Sequence, residues 1–296
     1  MSIQKTHDLI TVAGRIRFAL MLSLAAALTL ATGILPAAAQ ADQVIVGASG
    51  MSGIDLETWA TGDLRQPIEE SQRLRLSRLH FDPCTGIVLH NTGGSVLLYA
   101  ESTGVRYVFQ GGESYPNTSL LQGESVLAGP VDFLTIINPE SDPAIAVDLL
   151  VLSVTEGDSY FDVPIIEHFT FPEDSACDGV NENGEVRPTI LGEGIAAEGG
   201  ERLYIGSAVF LPGATTEGWG LINEGSAFNL LILGGSMSVA GPNSGRAAWI
   251  GPGEVNRTHY NEGPIPSFPF VNDGTTPVFG FVFGTVTGPG AVWLPA

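Results

Sequence analysis

The 296-residue sequence predicts an all-β protein made of two similar barrels in tandem. Three observations predict it. Glycine and proline supply 38 and 19 residues, and they punctuate short runs of Val, Ile, Leu, Phe and Thr, as strands joined by tight turns require. Gly94 to Ala100, Val105 to Gln110, Ala144 to Val154, Phe228 to Leu233 and Pro277 to Val286 are such runs. No segment sustains a helical period. The chain also repeats itself once, at an offset of about 130 residues.

The elements follow in order. Residues 1–41 read as a signal peptide: Lys5, Arg15 and Arg17, then an apolar run from Phe18 to Leu35, then Ala39 and Ala41 at a small-x-small cleavage site. An uncleaved anchor is the alternative, although the run is at the short end for a span, where about 20 apolar residues are needed. Asp42 to Ile68 reads as an extra strand and an arm. Gln66 to Arg73 is compatible with a short helix, with Pro67 in its first turn.

The first barrel is expected across 42–166, with its repeat from about Arg73 to Val154. It carries Arg75-Leu76-Ser77-Arg78-Leu79, Phe81-Asp82-Pro83-Cys84, turns at Gly104 and Gly123, and Asn138-Pro139-Glu140. Residues 167–201 read as an acidic, turn-rich surface linker. The second barrel is expected across 202–296. It carries Phe210-Leu211-Pro212-Gly213, turns at Gly234-Gly235 and Gly251-Pro252-Gly253, and Asn272-Asp273-Gly274.

Charge narrows the function. Removing 41 of the 296 residues leaves 255, with 9 basic and 31 acidic residues, a net of −22. The sole lysine, Lys5, leaves with the signal, which excludes Schiff-base and lysine phosphate chemistry from the mature chain. The acidic field repels nucleic acid and anionic lipid and suits a soluble protein outside the cytoplasm, secreted or periplasmic. Cys84 and Cys177 permit one disulfide in such a compartment; two unpaired thiols, with Cys84 buried, are the alternative.

The landmarks resemble the cupin superfamily. The family pattern has a Pro-Gly turn, a strand with His-x-His, a following glutamate and glycine, and a second motif with Gly, Pro-x-Gly and a last His four residues before Asn. The first copy is similar in Pro83, His90, Gly104, Gly123, Pro130 and Asn138, and the second in Pro212, Gly213, Gly234, Gly251 and Asn272. The resemblance covers roughly two-thirds of the mature chain and implies two cupin-like jelly-roll barrels, a bicupin.

It also implies where metal ligands would stand, and most are replaced. His90 keeps the first position, Thr92 the second; the glutamate position falls near Leu97 and the last His at Leu134 or Thr135. In the second copy the positions fall at Trp219 and Leu221 (or Gly220 and Ile222), near Ala227 or Phe228, and near Phe268. One imidazole does not hold a divalent metal against water. The expectation is therefore a non-catalytic bicupin without a cofactor, a small-molecule or carbohydrate binding protein or a structural protein of the cell envelope or exterior, as monomer or homodimer, with any ligand at a barrel mouth near His90, Tyr99 or Trp219. The alternative is an atypical metalloenzyme (oxygenase, isomerase or decarboxylase) using His80, His90 and Glu101. His168 and His259 read as loop residues. Asp174, Asp178, Gly179 and Glu185 brush the spacing of a calcium loop, but Ala176 occupies a ligand position, so an exposed linker is the default. Asn117-Thr118-Ser119 and Asn256-Arg257-Thr258 are glycosylation sequons. No nucleophile elbow, phosphate-cradling glycine loop or zinc-protease helix motif occurs.

Overall fold

A computed structural model describes residues 45–46, 52–90, 94–102, 104–109, 118–129, 133–142, 145–156, 165–171, 173, 175–177, 184–216, 219–221, 226–240, 247–253, 255–259, 270–288 and 291–295. The expected signal peptide, most of the calcium-like loop and the first sequon asparagine lie outside the described residues.

The strands begin with β1 (Ile45–Val46) and β2 (Ile54–Asp63). The first copy then runs β3 (Gln72–Phe81), β4 (Thr85–His90), β5 (Val96–Ala100), β6 (Val105–Phe109), β7 (Thr118–Leu120), β8 (Ser125–Ala128), β9 (Phe133–Asn138) and β10 (Val147–Glu156). Between the copies lie β11 (Ile165–His168) and β12 (Val186–Ile195). The second copy runs β13 (Arg202–Phe210), β14 (Trp219–Leu221), β15 (Ala227–Gly234), β16 (Met237–Ala240), β17 (Ala247–Ile250), β18 (Val255–His259), β19 (Phe270–Val271) and β20 (Val278–Val286), and β21 (Ala291–Pro295) follows.

The first copy forms two antiparallel sheets, ordered β12-β3-β10-β5-β8 and β11-β4-β9-β6-β7. The second repeats the order ten strands on, as β18-β15-β20-β13-β2 and β17-β16-β19. β14 stands instead beside β21, in a three-stranded sheet with β1. Eight strands in this order make a double-sheet jelly roll, the fold that the cupin resemblance implies, twice over.

Alternation along β3 shows how the copies are joined. Leu79 and Phe81 share a core with Ile87, Leu89, Leu134 and Ile136, so this face looks into the first barrel. Leu74 and Leu76 share another core with Leu150 and Leu152 and with Leu203, Ile205, Leu231 and Phe283 of the second copy. β3 therefore buries apolar side chains on both faces, one inside its barrel and one against the other barrel. A third core, built on Tyr204, Phe210, Phe228 and Phe270, fills the second barrel. There the buried Tyr204 hydroxyl donates to the Ala227 carbonyl, and burial pushes its phenol far above the ordinary value.

Two expectations change. The linker expected across 167–201 is part of the first barrel's sheets: β11 pairs with β4, and β12 pairs with β3 along nearly its whole length. Conversely β2, expected within the first barrel as an extra strand, pairs with β13 in the second. Each barrel thus receives the strand that precedes the other in sequence. The helix expected at Gln66 to Arg73 is absent: β3 starts at Gln72, and the Ile68 backbone bonds to Gly199 and Gly200 across the joint.

Candidate functional site

Of the metal set that the alternative reading requires, neither His80 nor Glu101 faces the interior of the first barrel. On β3, His80 shares the face of Leu74 and Leu76, opposite the barrel interior. Its Nδ1 is 2.8 Å from the Asp148 carboxylate on the paired strand, and its Nε2 is 3.4 Å from Asp82. Asp82 in turn accepts from the Arg187 guanidinium at 2.9 Å and from the Glu185 N–H at 3.1 Å, tying β12 to β3. Glu101 is engaged by Arg78 through two charge-assisted bonds of 2.6 and 2.7 Å. That bond, against the opposing pull of burial, raises the Arg78 guanidinium above its ordinary value. His80 and Glu101 therefore belong to two ion-pair groups on the outer face. Among the described residues no group of three or more His, Cys, Asp and Glu is placed to hold a metal ion.

The binding residues expected at the barrel mouths are dispersed. Tyr99 lies on the outer face of β5, packed against the core between the barrels. It stacks on Trp59, with ring centroids 5.6 Å apart, and Trp59 meets Phe281 edge-on at 5.7 Å. Burial first, and then the nearby Glu57 and Glu101 carboxylates, raise the Tyr99 phenol above its ordinary value. Tyr99 is thus a joint residue, because its strand presents odd positions outward and even positions inward. His90 ends β4, where its backbone pairs with Phe133 and Ile165; its side chain lies outside the described part of the structure. Trp219 pairs with Pro295 through its backbone, and its side chain also lies outside the description.

Cys84 and Cys177 form a disulfide, with Cα atoms 5.2 Å apart and a sequence separation of 93. It pins the chain after β11 to the turn between β3 and β4. Phe169 continues that attachment by donating its N–H to the Gly86 carbonyl.

One interior residue escaped the sequence reading. Arg75 shares the inward face of β3 with Leu79 and Phe81, and it is only 4% exposed. It occupies a single register row across the sheet, Glu193–Arg75–Ser153–Val96–Ala128. The row lies at the barrel end where β4 finishes and β5 starts. Nε and Nη2 of Arg75 both donate to Oε1 of Glu193, at 3.1 and 2.9 Å. Nη1 is buried with no partner among the described residues. Ser153 and Thr155, buried on the same face of β10, add hydroxyls whose contacts among the described residues are long ones to backbone carbonyls, at 3.4 and 3.5 Å. This is the polar end of an otherwise apolar interior. The signal for it was faint: Arg75 sits in a run with Arg73 and Arg78, which reads as a solvated face. Only the burial of Leu74 and Leu76 toward a second barrel turns Arg75 inward.

No family model matches this chain, and no curated protein matches it. Solved structures do. Oxalate decarboxylase from Bacillus subtilis is similar at TM-score 0.43 and 16% identity, over 79% of this chain and 73% of that one. The protein YhaK from Escherichia coli is similar at TM-score 0.41 and 12% identity, over 77% and 93%. Vicilin from Corylus avellana, hazelnut, is similar at TM-score 0.40 and 11% identity, over 82% and 88%.

Proposed function

We propose that this chain is an exported, non-catalytic tandem-barrel protein of the cell envelope or exterior that binds a small molecule. The observation that carries the reading is the placement of the donors. Inside the first barrel's polar end stand Arg75, Ser153 and Thr155, which can hold a ligand by hydrogen bonds but are poor ligands for a divalent metal. The imidazole and carboxylate of His80 and Glu101 face outward, satisfied by Asp148 and Arg78. Export is supported by the signal-like first 41 residues, the single disulfide and the acid excess. The expected mature N-terminus is Asp42, which N-terminal sequencing of exported protein checks.

The test is elemental analysis of the mature protein, purified without chelator or affinity tag. The expected result is metal far below one per chain, with no uptake when Mn, Fe, Ni or Zn is offered. Stoichiometric metal, lost on His90→Ala, overturns the reading in favour of a metalloenzyme.

A further inference from the structure

The geometry points to a specific ligand chemistry for the first barrel: a small monocarboxylic acid with an apolar body, held by Arg75. The inference deepens the metal-free binding reading and rests on it.

A guanidinium presents two edges that match a carboxylate. Glu193 takes the edge formed by Nε and Nη2, through one oxygen. The other edge, Nη1 with the second Nη2 hydrogen, carries the buried nitrogen that has no partner among the described residues. A buried charged donor left unmet is costly, so a positioned acceptor gains more there than at the surface. Two further features choose among acceptors. Glu193 stands beside the site and already offsets the cation, which favours a single negative charge and disfavours phosphate or a dicarboxylate. Val96, Ala128 and Val151 adjoin Arg75 and Ser153 in the same apolar core, so the body of the ligand meets hydrocarbon. The net charge of the mature chain repels anions at long range, so recognition depends on this contact.

Calorimetry and thermal shift on the full mature chain, treated with chelator, test the inference. The probes are acetate, butyrate, octanoate and benzoate; butanol, octanol, benzyl alcohol and inorganic phosphate are the controls. The expected result is binding of butyrate, octanoate or benzoate, and not of the alcohols or phosphate. Arg75→Gln lowers that affinity by on the order of ten- to a hundredfold. Because Arg75 is buried, its variant can lose the fold. Glu193→Gln, at a side chain 44% exposed, keeps the test decisive: it tightens carboxylate binding several-fold while weakening the ion pair that a purely structural role would require. Absence of carboxylate binding, equal binding of the alcohols, or unchanged affinity in Glu193→Gln overturns the inference and leaves the metal-free reading standing. Binding that appears only after Mn(II) is added overturns both. Stoichiometric metal in a protein that still binds carboxylate after chelation overturns the metal-free reading alone.

Discussion

Cys84 holds a left-handed backbone with φ of 52°, a conformation that costs an ordinary residue about 1–2 kcal/mol. The second copy reaches the matching turn with Gly213, at φ of 82°, where no side chain opposes it. Each turn is anchored by a backbone bond, Cys84 N–H donating to the Glu140 carbonyl and Gly213 N–H to the Asn272 carbonyl. Beside them the fully buried Asn138 and Asn272 each clasp their turn, Asn138 donating to Asp82 and Ile145 and Asn272 to Phe210 and Thr276. These asparagines were legible as repeat landmarks because their role requires one amide at one place. The first copy thus tolerates a strained cysteine for the sake of a disulfide. Its loss should cost about 4–5 kcal/mol on the chain-entropy estimate for so long a loop. The strain itself is separable. In a Cys177→Ser background, Cys84→Gly should be more stable to urea than Cys84→Ser by about 1 kcal/mol. Equal stability of the two would show that the turn costs nothing.

At the level of elements, β12 carries the joint between the barrels, and it is the element the sequence concealed best. It contains Pro188, Gly192 and Gly194, and residues 187–190 are exposed, so neither alternation nor β-propensity marks it. An edge strand tolerates that composition, since one side needs no ladder partner and Pro is admitted there. β10, buried on both faces, was legible by contrast, because its run from Val147 to Leu152 is almost continuously apolar. The far end of β12 is gripped by Asn229. Its Oδ1 accepts the Ile195 N–H at 2.9 Å, and its Nδ2 donates to the Ile195 and Phe283 carbonyls. Gly194 permits the approach: a Cβ there would fall 2.5 Å from the Asn229 amide carbon. Asn229→Leu keeps the volume and abandons those groups, at about 1–3 kcal/mol for each left unmet. The expected outcome is a lowered urea midpoint, with amide hydrogen exchange accelerated at Ile195 and along β12 before the core of the second barrel. Unchanged protection in β12 would remove Asn229 from the joint.

Across the whole molecule, the reciprocal placement of β2 and β12 makes each barrel depend on the other. The sheet of the first copy ends on β12, which leads directly into the second copy, and the sheet of the second ends on β2, which precedes the first. The core between them unites Leu74, Leu76, Leu97, Leu150 and Leu152 with Leu203, Ile205, Leu231 and Phe283. These side chains would face water in an isolated half, a larger apolar patch than a soluble monomer ordinarily exposes. Two copies were legible in the turn spacing, but their interdependence was not, because a repeat in sequence says nothing about which sheet edge a connecting strand joins. The consequence is cooperative. The full mature chain should unfold in one transition whose calorimetric and van't Hoff enthalpies agree, although its length would permit two. A fragment of residues 42–177 made alone should aggregate or self-associate, since it lacks β12 and leaves β2 without β13. Co-expressed with residues 178–296, it should copurify as a one-to-one complex, because the two exchanged pairings and the shared core do not require a continuous chain. Weakening the core with Leu76→Asp should abolish that copurification, by placing a charge among apolar side chains. Two separate calorimetric transitions, or a fragment 42–177 that is monomeric and folded by itself, would show that the barrels are independent domains and that the exchanged strands merely decorate them.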